Sequence, residues 1–101
     1  MSKSILHNKA DGTCYLCMRL NGDYSRRTNL EEHHVMGGSN RKLSEHYGLK
    51  VYLCIPHHRE GPAAVHNNID NQRYLQQEAQ KAFEKKYSYE KWMEVFGRNF
   101  I

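Results

Sequence analysis

Two short segments that can each supply a pair of metal ligands constrain this chain more than any other feature. They are Cys14-Tyr15-Leu16-Cys17 and Cys54-Ile55-Pro56-His57-His58. Each pair is spaced so that one turn can aim two side chains at a single ion, and joining the pairs closes the long loop between them. The chain needs such a brace. It has 101 residues, enough for one domain, of which only 39% are hydrophobic, and its mean hydropathy is -0.89. A chain this size buries roughly 60–70% of the surface its unfolded form exposes, so its apolar core is thin. A structural zinc, which contributes ~10–16 kcal/mol in zinc-finger peptides, would match or exceed the net stability of many domains.

Cys14, Cys17, Cys54 and His57 make a Cys3His set suited to tetrahedral zinc, with His58 as the alternative to His57. The competing reading is a Cys14–Cys17 redox pair with Cys54 as a buried apolar thiol. A redox Cys-x-x-Cys is expected to open a helix after a strand in a βαβ unit, and nothing in the sequence predicts that unit. Three cysteines cannot form a closed set of disulfides within the chain, and the close pair beside histidines reads as metal binding in a reducing compartment. The sequence has no apolar run long enough for a membrane span, and the stretch from Met1 to Lys9 has none long enough for a secretion signal. A cytoplasmic location is expected.

The remaining organisation is read from local pattern. Residues 1–13 are polar and read as an arm or loop, Cys14 to Cys17 as a tight knuckle, and Leu20 to Asn29 as turn-rich. Leu30 to Val35 is a candidate short strand ended by Gly37-Gly38-Ser39-Asn40, with one helical turn at Leu43 to Tyr47. Leu49 to Leu53 is the best strand, with β-branched and aromatic residues. Pro56 suits the start of a helix, and Gly61-Pro62 ends or interrupts it. From Asp70 to Lys86, Leu75, Ala79, Ala82 and Phe83 form a helical stripe, capped by Asn68 or Asp70. Ser88 caps a second helix that holds Trp92, Met93 and Phe96 and closes at Gly97. These C-terminal helices are read as structural.

Five of the seven histidines fall in two clusters beside predicted strands: His33 and His34, then His57, His58 and His66. Neighbours on a strand point in different directions, so one imidazole of a vicinal pair can face a metal while the next faces an attacking water. A neutral imidazole with a pKa near 6.5 can accept that water's proton, and positioned general bases contribute ~10²–10⁴-fold. A divalent ion beside it would steady the phosphate charge. His7 and His46 stand apart and are read as surface or packing side chains.

At these residues the chain resembles the HNH, or ββα-metal, nuclease family. Glu32-His33-His34-Val35 is similar to its first-strand motif, and Cys54-Ile55-Pro56-His57-His58-Arg59 to its second zinc knuckle. Gly37-Gly38-Ser39-Asn40-Arg41-Lys42 and the stretch from Gly61 to Asn67 resemble small phage and prophage members. The resemblance spans residues 14–67 and implies an α+β fold: a small zinc-braced ββα-metal core with a C-terminal helical extension. The whole, 1–101, is read as one HNH nuclease domain, with knuckles and core at 14–67 and a helical tail at 68–101. It implies His33, His58 and His66 as ligands of a catalytic divalent ion, Mg²⁺ or Mn²⁺, with His34 as general base and His57 in place of the usual last cysteine. One departure from the family matters for the chemistry. The middle Asn expected before the second knuckle is absent from Gly48-Leu49-Lys50-Val51, leaving Asn40 as a substitute or none.

The net charge of +4 is compatible with a polyanion partner, though the basic residues are dispersed as on an ordinary solvated surface. Arg41, Lys42, Lys50 and Arg59 lie near the motif and are the candidate phosphate contacts, with little sequence readout. The expected activity is metal-dependent hydrolysis of DNA phosphodiesters. DNA is the expected partner, with phage or host recombination or packaging proteins as further candidates. The alternative is a catalytically weak or inactive zinc-braced module that binds DNA or protein.

Overall fold

The computed structural model describes residues 3–101. Among them the chain forms a two-stranded antiparallel sheet and five α-helices. In chain order these are α1 (Tyr15–Asn21), β1 (Glu31–His34), α2 (Arg41–His46), β2 (Lys50–Leu53), α3 (Ile55–His58), α4 (Ile69–Lys86) and α5 (Tyr89–Phe96).

The strand β2 anchors the sheet, and all four of its residues are buried. β1 is built entirely of Glu and His, which have little intrinsic preference for a strand, so it depends on its partner. The register pairs Glu31 with Leu53, Glu32 with Tyr52, His33 with Val51 and His34 with Lys50. A final bond from Val35 N to Leu49 O, at 2.9 Å, extends the pairing. Alternation then sets Glu31 and His33 on one face and Glu32 and His34 on the other.

The N-terminal segment is not a loose arm. It caps the edge of β2 turned away from β1: Ser4 Oγ donates to Lys50 O, and Tyr52 N donates to His7 Nδ1 at 3.1 Å. Ile5 N also bonds Gly48 O at 2.9 Å. Side-chain groups thus satisfy backbone that an exposed sheet edge would leave open. His7 is buried and serves packing, as its isolation in the sequence suggested.

The stripe on α4 forms as its periodicity predicts. Leu75, Ala79 and Phe83 are fully buried, whereas Ala82, at the edge of the stripe, is only half-buried; the Phe83 ring meets Trp92 of α5 at 5.3 Å. Asn68 and Ser88 cap the two helices through Asn71 N and Lys91 N. Gln80 is buried as well. Its amide donates to Asn99 Oδ1 and accepts from Phe100 N, which pins the C-terminal residues. Replacing Phe83 by Ala would cost about 3–5 kcal/mol if the site does not collapse.

Candidate metal centres and the cavity beside them

Each cysteine pair opens a helix. Cys14 is the N-cap of α1, and its sulfur accepts from Cys17 N at 3.5 Å. Cys54 is the N-cap of α3, whose first turn carries Pro56 and His57. The knuckle expected at Cys14–Cys17 is therefore the first turn of a helix that runs on to Asn21, and the turn-rich stretch begins only at Gly22. Opening a helix is one mark of a redox pair, but no βαβ unit surrounds this one. Thr13, just before it, makes only an isolated bridge to Arg26.

The sulfurs of Cys14, Cys17 and Cys54 instead converge with His57 Nδ1. Four ligands on a tetrahedral zinc, at ~2.3 Å for sulfur and ~2.0 Å for nitrogen, stand about 3.8 Å apart for two sulfurs and about 3.5 Å for sulfur and nitrogen. The Cys17 and Cys54 sulfurs are 3.8 Å apart, and His57 Nδ1 lies 3.5, 3.4 and 3.3 Å from Cys14, Cys17 and Cys54. The cluster therefore fits a metal such as zinc. All three thiols are buried and unpaired by disulfides. Burial first, then the neighbouring sulfurs, pushes the Cys17 thiol up to about 12. A cation between the sulfurs would reverse that preference.

A second set lies on the face of β1 that carries His33. His33, His58 and His66 offer ring nitrogens within 4.8 Å of one another. Their ring centroids are 5.2 Å (His33–His58), 5.4 Å (His33–His66) and 4.9 Å (His58–His66) apart. Burial first, then the charges of His58, His66 and His34, pushes His33 down to about 3. His33 is consequently neutral at pH 7, the form a ligand needs. His58 Nδ1 bonds Glu31 Oε1 at 2.8 Å, which leaves Nε2 for an ion, and Arg59 Nε holds the same carboxylate at 3.0 Å. Carboxylate partners of this kind fix the orientation of metal-binding imidazoles. His66 sits on a loop fastened by three asparagines, Asn67 within it, Asn68 at the cap of α4 and Asn71 in its first turn. Asn67, Asn68 and Asn71 donate side-chain amides to Gly61 O, Pro62 O and Ala63 O at 3.2, 3.2 and 2.8 Å.

His34 closes β1 on the other face. Its Nε2 lies 2.9 Å from Glu45 Oε1 of α2 and 3.5 Å from Glu32 Oε1. Lys50 Nζ bonds both Glu45 oxygens, at 3.2 and 3.0 Å, and lies 3.7 Å from Glu32. Burial works to lower the Lys50 pKa, but these carboxylates outweigh it and hold the ammonium above the ordinary lysine value. Glu32, His34 and Glu45 are close enough to ligate an ion, yet the Lys50 ammonium already serves as their cation. Because β1 ends at His34, one open cavity of about 670 Å³ reaches both faces and is lined by His33, His34, His58, His66 and Arg41.

His57 and His58 fall into different clusters, His57 with the cysteines and His58 with the histidines. Arg41 is exposed and lines the cavity, Lys42 is exposed but does not line it, and Arg59 is exposed beside Glu31. Lys50 has to be withdrawn as a phosphate contact. Its side chain is 3% exposed, and Glu45 and Glu32 engage its ammonium. His34 is bonded by Glu45 rather than by Asn40.

Sequence reasoning missed four residues. Glu31 shares a strand face with His33 two residues on, and that signal was available. Gln72 and Gln76, one helical turn apart, bring α4 to the cavity wall, a place that the helical pattern of the tail does not reveal. Glu45 carried no local signal.

No family model, curated protein or solved structure matches the chain. What the structure itself defines is a small α+β protein with a Cys3His cluster able to hold a metal and no helix long and apolar enough to cross a membrane among the described residues.

Proposed function

We propose that the chain is a metal-dependent DNA endonuclease of the HNH type, with β1, β2 and α3 as its ββα-metal element. One observation carries the reading. Three imidazoles converge within 4.8 Å on a cavity shared with His34, next to a separate Cys3His cluster that braces the same segments. A divalent ion held by His33, His58 and His66 would supply electrostatic stabilisation to the phosphate and to the departing oxygen. A donor set of three nitrogens suits Mn²⁺ and the later transition ions better than Mg²⁺, which prefers oxygen.

The chain's own residues divide the remaining work. His34 accepts a proton from water as the water oxygen bonds to phosphorus. The phosphorus–oxygen bond to the sugar breaks, and the departing oxygen leaves with the electron pair and is protonated from solvent. Glu31 fixes the His58 ring, and Arg41 offers a cation to the phosphate backbone. Relaxation of supercoiled plasmid in the presence of Mn²⁺ tests the reading. Wild-type protein nicks the plasmid, and His34→Ala loses ~10²–10⁴-fold of that rate while keeping its zinc. Nicking by His34→Ala at the wild-type rate would remove His34 from the mechanism.

A further inference from the structure

We propose that Glu45 is the positioning residue of His34, and that it determines which ring nitrogen accepts the proton from water. The inference rests on the nuclease reading and concerns a place where the chain departs from the HNH pattern.

An ionised carboxylate has no proton to give, so the 2.9 Å bond between Glu45 Oε1 and His34 Nε2 requires the hydrogen to sit on Nε2. In the neutral ring Nδ1 is then the unprotonated nitrogen. Lys50 is the counter-ion that holds Glu45 in place. Lys50 Nζ bonds both of its oxygens, at 3.2 and 3.0 Å, from a side chain only 3% exposed. Lys50 is also the residue opposite His34 in the sheet register, so backbone pairing sets the spacing of base and ammonium, and Glu45 reaches both from α2. Glu32, 3.5 Å from His34 Nε2 and 3.7 Å from Lys50 Nζ, adds a second negative charge on the same side.

The consequence for the reaction is a defined proton path. Water gives its proton to Nδ1, and the imidazolium formed is stabilised by Glu45 through Nε2–H. The logic is that of the carboxylate that orients the histidine of a serine protease, where loss of the charge leaves the wrong tautomer. The same arrangement gives a reason for a buried lysine in a short strand that needs no nucleic-acid contact.

Long-range ¹H–¹⁵N NMR of the full-length, zinc-loaded protein reads the His34 tautomer directly. The wild type is expected to show Nε2 protonated and Nδ1 unprotonated near pH 8. Glu45→Gln, whose amide can either donate or accept, is expected to populate the opposite tautomer. Its nicking rate is expected to fall ~10²–10⁴-fold at unchanged KM for DNA and unchanged zinc content. A wild-type His34 protonated at Nδ1 overturns the inference whether or not DNA is cut. So does a Glu45→Gln protein with the wild-type tautomer and rate. Wild-type protein that fails to nick DNA defeats the nuclease reading instead, and the tautomer still decides the role of Glu45.

Discussion

Acid should expel the ion from the Cys3His cluster with a steepness fixed by which four atoms converge there. Three are thiol sulfurs, and the fourth is a His57 nitrogen whose neutral form is favoured by burial and by Arg27. A thiol must lose its proton to ligate, whereas a neutral imidazole ligates as it stands. In the ion-free chain burial raises Cys17, to about 12, and also raises Cys54. An unfolded chain gives the same count, because an ordinary thiol titrates near 8.5. Zinc binding near neutral pH should therefore release about three protons. Apparent affinity should then fall ~10³-fold, or roughly 4 kcal/mol, per pH unit. Calorimetric titration of reduced, ion-free protein with zinc, in two buffers of different ionisation enthalpy, gives the proton number. Cys54→Ser should lower it by about one. Release of one proton or none in the wild type would refute a three-thiolate site.

Three further outcomes follow from other parts of the fold. His7 is buried with its Nδ1 accepting from Tyr52 N, and burial holds its pKa below the ordinary histidine value despite the charge of Asp11. The unfolded chain therefore binds more protons below about pH 6.5, so stability should fall as pH drops through that value. His7→Asn, which keeps an acceptor but cannot titrate, should flatten that slope in urea melts. Gly48→Ala should destabilise by at least about 1–2 kcal/mol. The residue has a φ of +70°, and a Cβ there would collide with the Lys3 carbonyl oxygen. A melting temperature equal to the wild type's would contradict that account of the N-terminal segment. Arg41→Ala should weaken DNA binding and reduce its salt slope by about one contact, read by fluorescence anisotropy. Lys50→Met should leave the slope alone.

The parts of this molecule written in local pattern were legible. The α4 stripe, its Asn68 cap, the Ser88 cap and the Gly97 terminus all depend on neighbours within a turn or two, and each is where the sequence placed it. The Cys3His cluster was legible because ligand spacing is itself a structural statement. The misreadings concern contacts that only the sheet register creates. Lys50 looked like a surface cation because alternation alone does not say that both faces of β2 are covered. Glu45 reaches His34 from a separate helix, and the pairing of His34 with Lys50 that organises it exists only after β1 and β2 align. The N-terminal segment likewise looked like an arm, because a side chain standing in for a neighbouring strand leaves no periodic trace.

On the proposed reading, the adjacent pair His57 and His58 serves two different ions, one that braces the fold and one that acts. Plasmid nicking with Mn²⁺ by His58→Ala, measured on protein whose zinc content is determined in the same sample, tests it most directly. His58→Ala is expected to keep the zinc of the Cys3His cluster, as in the wild type, and to show no detectable nicking. Nicking at the wild-type rate, or loss of the zinc with His58, would contradict it.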